Sequence, residues 1–186
     1  MSTRSRLSVS LGVMVLAGCA SPTVTETPHL GRVATLAEVA GWDVSIPPDG
    51  TGLPAGRGAS AQGAVVYEQK CQNCHGEKGA GQPNDRLVGG HGTLTSTGPV
   101  RTVGSYWPYA TTVFDYVRRA MPYTQPHSLS DDEVYAVTAY LLHLNGIIGE
   151  ADVMDAQTLA TVKMPNRDGF VADPRPDVGS KAKGKK

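Results

Sequence analysis

Cysteine, phenylalanine and tryptophan are scarce in this 186-residue chain, at three, two and two residues, and aromatics make up only 6% of it. So little cysteine excludes a disulfide-stapled scaffold. So few large rings leave a compact core short of filling, which points to a non-protein filler. Charge is thin as well, at 18%, and the 17 basic residues are cancelled by 17 acidic ones. Without a basic excess the chain does not look like a nucleic-acid binder, and without charged heptads a long coiled coil is excluded. No apolar run reaches the roughly 20 residues that a membrane-spanning helix needs. What is plentiful is glycine, 22 residues, and proline, 13. The length fits one modest domain with many loops and loose ends.

The N-terminus reads as an export signal. Arg4 and Arg6 precede an apolar run from Leu7 to Leu16, too short to span hydrocarbon but suited to the core of a cleavable leader. It ends in Leu16-Ala17-Gly18-Cys19, which resembles the bacterial lipobox. The resemblance implies cleavage before Cys19 and acylation of that cysteine, and several acyl chains on one residue hold a protein firmly to a bilayer. The expectation is a periplasmic, membrane-anchored lipoprotein with residues 1–18 as its signal. Residues 19–40 read as a tether, with a marginal helix late in it, and 41–59 as an extended arm rich in Gly and Pro in which Trp42 is expected to pack. The tail closes on Lys181, Lys183, Lys185 and Lys186, a basic and solvated end.

Cys71-Gln72-Asn73-Cys74-His75 is the sharpest feature. A C-x-x-C-H run is the attachment signature of c-type haem. Residues i and i+3 share one helical face, so both thiols reach the two vinyl groups of one porphyrin, and the adjacent histidine can bring Nε2 to the iron. Three other readings compete less well. A thioredoxin-like pair wants a βαβ setting, a zinc site wants two further ligands, and a disulfide across two residues is poor geometry. The cysteine count then closes, with one residue lipidated, two in thioethers and none left over. Haem c, a single covalent copy, is the cofactor expected.

For the second axial position the chain offers Met121, Met154 and Met164 after the motif, with His91, His127 and His143 as rivals. Met121 follows an amphipathic stretch carrying Val113, Tyr116, Val117 and Ala120. Beyond it Ser130-Asp131-Asp132-Glu133 is a capping box, Val134, Val137, Leu141 and Leu144 form one stripe, and Asn145-Gly146 ends the helix. Gly63 and Tyr67 stand four apart before the cysteines, with Tyr140 on the last helix. This order resembles class I cytochromes c. The resemblance covers residues 60–148 and implies an all-α fold, a helical haem domain with extended N- and C-terminal arms. It also implies Met121 as axial ligand, with Met164 in reserve, and close crossing of the terminal helices at Gly63, Tyr67 and Tyr140. A backbone carbonyl near Leu87 or Pro99 is expected to accept the Nδ1 proton of His75. Trp107, Tyr109 and Arg101 are candidates for the haem propionates, with wall packing as the alternative.

The wider text is similar to the cytochrome c subunits of periplasmic sulfur-oxidising molybdenum enzymes. Trp42-Asp43-Val44, Gly52-Leu53-Pro54-Ala55-Gly56, Tyr106 to Thr112, Arg119-Ala120-Met121-Pro122 and Lys163 to Phe170 carry that likeness. It implies a molybdopterin-containing, sulfite-oxidising subunit as partner and a downstream cytochrome c or oxidase as acceptor, with no catalytic residues in this chain itself. Sulfane dehydrogenase is the near relative; its cytochromes often carry a second haem, and the single motif here favours the sulfite type. The arm and the C-terminal extension, residues 149–186, are expected either to wrap the partner or to cover their own haem domain. Two further readings stay open, a free-standing tethered electron carrier and a haem sensor or enzyme with a labile sixth ligand.

Overall fold

The computed structural model describes residues 30–175. The expected export signal with Cys19, the first part of the expected tether and the lysine-rich tail fall outside the described residues. Five α-helices run in the order α1 (Leu36–Trp42), α2 (Ser60–Lys70), α3 (Gln72–His75), α4 (Ala110–Ala120) and α5 (Asp131–Leu144). Two three-residue strands, β1 (Arg57–Ala59) and β2 (Val153–Asp155), pair antiparallel and tie the arm to the C-terminal extension. The all-α expectation holds, with this one small ribbon added. No helix among the described residues is long and apolar enough to cross a membrane.

The frame is the crossing of α2 and α5. A Cβ built on Gly63 would lie 1.9 Å from the carbonyl oxygen of Ala136, and one on Gly58 would lie 2.3 Å from the Ala136 nitrogen. Only hydrogen fits at either place, so α2 and β1 each approach α5 to backbone contact. Tyr67, 1% exposed, meets Tyr140 with ring centroids 5.5 Å apart. α5 starts as its sequence dictates: Ser130 Oγ accepts from the Glu133 amide, and the Glu133 carboxylate accepts from the Ser130 amide, a box worth about 1 kcal/mol. Its buried side, Val134, Val137, Leu141 and Leu142, packs the core with Phe114 of α4, whose ring sits 4.4 Å from that of Tyr135. Tyr116, expected on the buried stripe of α4, is instead 46% exposed.

Both arms are stitched to this body. Ile46 is buried and its amide donates to Asp115 Oδ1 at 3.0 Å. Thr111 Oγ1 donates to the Pro48 carbonyl at 3.2 Å, and Tyr135 donates to the Pro54 carbonyl at 2.9 Å. From the other end Met154, Leu159, Val162 and Met164 enter the same core. α1 forms behind a Thr35–Glu38 capping box but buries none of its residues. Trp42 is 89% exposed, so the packing expected of it is not made among the described residues.

Candidate functional site

Cys71 ends α2 and begins α3 at the same time, with φ −122° and ψ −37°. The amides of Cys74 and His75 both donate to its carbonyl, at 3.1 and 3.0 Å, so the two thiols and the imidazole ride on one turn. Among the described residues neither thiol is in a disulfide; Cys71 is half-buried and Cys74 exposed. Burial, then the neighbouring Cys74 sulfur, pushes the Cys71 thiol up to about 11. Among the described residues no third His, Cys, Asp or Glu joins them in a metal-binding group.

The turn is followed by a loop that folds back on it. Gly81 and Asn84 amides donate to the carbonyls of His75 and Cys74 at 2.7 and 2.8 Å, and Tyr67 Oη donates to the Gly76 carbonyl at 2.9 Å. Gly76 has φ +74°, and a Cβ there would lie 2.3 Å from the Gly81 oxygen, so glycine is required on both counts. This fold-back brings the Asp85 carbonyl 2.8 Å from His75 Nδ1. The acceptor expected near Leu87 or Pro99 is thus the carbonyl of Asp85, two residues before Leu87. The Leu87 carbonyl is already taken by the Val103 amide and by Asn145 Nδ2, at 3.2 Å each. With Nδ1–H directed at a carbonyl, Nε2 is left as the free lone pair.

Met121 caps the C-terminus of α4 in an extended conformation, its amide donating to Val117 O at 3.0 Å. It is half-buried against the core, as Cys71 is, whereas Met154 and Met164 are 4% and 3% exposed and built into the core. His91 and His127 are exposed, and His143 is half-buried on α5. Trp107 is half-buried with its ring edge-on to Tyr116 at 5.6 Å. Tyr109 lies under the Arg167 guanidinium at 5.0 Å, and Arg101 sits 5.7 Å over Tyr106. Sequence reasoning missed that the extension returns to this loop, where Asn166 Nδ2 donates to the Tyr106 carbonyl at 2.7 Å and Phe170 meets the Tyr106 ring at 5.3 Å. The run Lys163 to Phe170 carried no periodicity to announce it.

These residues fit a covalent porphyrin. Two unpaired thiols stand at i and i+3, one imidazole nitrogen is held and the other left free. Leu87, Trp107, Met121, Leu129, Ile147 and Ile148 pack against the core and stay only partly buried, which leaves apolar side chains for a macrocycle to meet.

The profile of the family described as cytochrome C oxidase, cbb3-type, subunit III, matches residues 58–141. A chain of the crystal structure of the sulfane dehydrogenase SoxCD from Paracoccus pantotrophus superposes with a TM-score of 0.75 at 41% identity, over 82% of this chain and 75% of that one. The chain belongs to the cytochrome c family. Its cofactor is haem c, its fold is that of class I cytochromes c, and its role is that of an electron-transfer cytochrome homologous to a chain of the sulfane dehydrogenase SoxCD. A thiosulfate dehydrogenase from Psychrobacter arcticus is 30% identical over 89 residues, which is 44% of this cytochrome and 25% of that protein. The cytochrome thus spans about a quarter of the length of that curated relative.

Proposed function

We propose that this cytochrome holds one haem c through Cys71 and Cys74, with His75 and Met121 as its axial ligands. We further propose that it serves as the cytochrome subunit of a periplasmic sulfur-oxidising dehydrogenase. The observation that carries the reading is the 2.8 Å contact of His75 Nδ1 with the Asp85 carbonyl. It selects the tautomer in which Nε2 is the donor and fixes the ring's orientation, as ligating histidines generally require. Haem c, once attached, supplies a reversible one-electron couple. Met121 contributes a soft thioether that favours ferrous iron and so raises the potential. Were His75 and Met121 both to hold the haem, they would leave no position for oxygen or peroxide, which supports a shuttle over a haem enzyme or sensor.

The partner we infer is a molybdopterin-containing subunit that oxidises sulfite and releases two electrons, so the cytochrome cycles twice per turnover and passes each electron to a downstream cytochrome c or oxidase. The single C-x-x-C-H motif supports sulfite as substrate. The match at 41% identity to a chain of a sulfane dehydrogenase supports a second reading, in which the partner acts on sulfane sulfur. A lipid at Cys19 would hold the subunit to the membrane, and residues 19–40 would give it reach.

Purified holoprotein is expected to contain one haem per chain by pyridine haemochrome assay, and the Met121→Ala variant is expected to lose the near-infrared sulfur-to-ferric charge-transfer band. Haem reduction by sulfite, thiosulfate and a sulfane donor, each with and without the co-expressed molybdenum subunit, ranks the substrates. Reduction independent of any such subunit would favour the free-standing carrier.

A further inference from the structure

The loop that carries Met121 has an open outer rim and a closed neck. Tyr123 is 84% exposed, residues 124–128 are exposed throughout, and His127 adopts φ +61°. At the neck Arg118, in the last turn of α4, donates from Nε to Asp131 Oδ1 in the first turn of α5 at 2.8 Å, thirteen positions apart. Both side chains are mostly covered, 26% and 36% exposed. The placement is favourable twice over, because a cation at a helix C-terminus and an anion at a helix N-terminus each complement the local dipole. Among the described residues no other side-chain bond joins the two sides of the neck. Arg119, one position on, bonds within α4 to Asp115 instead.

We propose that Arg118 and Asp131 form a clasp at the base of this loop and are positioning residues that decide how readily the Met121 thioether leaves the iron. The inference rests on Met121 being the axial ligand. A ligand supplied by a loop leaves when the loop swings, and the swing needs the two ends of the loop to part. A covered ion pair across those ends opposes that motion more than an exposed one, since screening is weaker there. Opening it strands one charge in a half-dry place. The clasp thus keeps the thioether on the iron without contacting it.

Imidazole is the probe, because it binds ferric haem only when the sixth ligand departs. In the full-length holoprotein, Arg118→Gln and Asp131→Asn are each expected to tighten imidazole binding about five- to tenfold and to weaken the charge-transfer band. The double variant should go no further than either single one, since both remove the same bond. Arg119→Gln, which leaves the neck closed, should bind imidazole as the wild type does. A lowered melting temperature with unchanged imidazole affinity in Arg118→Gln and Asp131→Asn would show a merely structural bridge and overturn the clasp, and additive effects in the double variant would overturn it also. Met121→Ala is measured in parallel. If it keeps the wild-type band and affinity, the ligand assignment has failed and the clasp falls with it, an outcome told apart from a merely structural bridge because there Met121→Ala loses the band.

Discussion

Replacing Gly63 by alanine tests the frame on which the C-x-x-C-H turn is mounted. The new methyl would lie 1.9 Å from the Ala136 oxygen, 2.5 Å from its carbonyl carbon and 2.8 Å from Tyr140 Cβ. Two of these neighbours are backbone of α5, so no rotamer change relieves the clash and the helices must separate. Overpacking of this kind costs about 1–3 kcal/mol and more where backbone has to move. Alanine returns about 1 kcal/mol of helix propensity. The net loss is then about 2 kcal/mol, which for a chain of this size lowers the melting temperature by roughly 4–8 °C. The Tyr67–Tyr140 contact at 5.5 Å lies one turn further along the same crossing and should loosen with it. Gly98→Ala is the control, because nothing lies within 4 Å of its Cβ and its φ is ordinary. Calorimetric scans of the two holoproteins decide the matter. Equal melting temperatures for the Gly63 and Gly98 variants would refute the close-approach argument.

Tyr67 and Tyr135 are both pushed up to about 12, in each case mainly by burial. In the unfolded chain they ionise near pH 10, so the unfolded state binds fewer protons than the native one between pH 10 and 12. Stability present below pH 10 should fall as pH rises through that window, by about 2–3 kcal/mol per ring; urea titrations at pH 9 and 11.5 that agree would contradict it. Asp115→Ala removes the acceptor of both the Ile46 amide and the Arg119 guanidinium. A loss of about 2–3 kcal/mol is expected, with faster hydrogen exchange at Ile46 as its local signature. Thr138 has a fully buried hydroxyl without a partner among the described residues. Thr138→Val should therefore hold or gain about 1 kcal/mol in denaturant titration, and a clear loss would reveal a partner for that hydroxyl.

What was legible in the sequence was local or periodic. The Ser130–Glu133 box, the stripe of α5 and its stop at Asn145 needed only a few neighbouring residues, and Gly63 with Tyr67 announced a close crossing by size alone. The carbonyl that holds His75 was legible only to its neighbourhood, two residues from Leu87, because a backbone acceptor has no side-chain signature and depends on how a glycine-rich loop folds back. Asn145 was legible as a helix stop and nothing more. Its side chain also accepts from the Gly89 amide at 3.0 Å and donates to Leu87 O, tying the end of α5 to the loop after the motif. Trp42 failed for the opposite reason. Its size argues for burial, yet among the described residues it stays 89% exposed, and its short helix exposes Leu36 at 89% as well. The C-terminal extension has core residues spaced irregularly across a strand, a 3-10 turn and a loop, so no period marked them.

That extension decides how the role of the arms can be tested. Met154, Leu159, Val162 and Met164 are each at least nine-tenths buried. At about 1.5–3 kcal/mol for each side chain withdrawn from water, they represent roughly 6–12 kcal/mol, as much as the whole stability of an ordinary domain. Deleting residues 149–186 is therefore expected to unfold the haem domain, and losing Ile46 with β1 works in the same direction. A deletion that abolished binding to the molybdenum subunit would then say nothing about docking. Point changes on α1, which spans the end of the tether and the start of the arm, avoid this. Leu36→Ser and Trp42→Ser remove apolar surface that this chain leaves 89% exposed in both cases, so melting temperature and haem content should stay at the wild-type values. If the arm wraps the partner, co-purification with that subunit falls at least tenfold while both controls hold. Undiminished co-purification would leave the arm as cover for its own domain, the role already visible in the bonds of Ile46, Pro48 and Pro54.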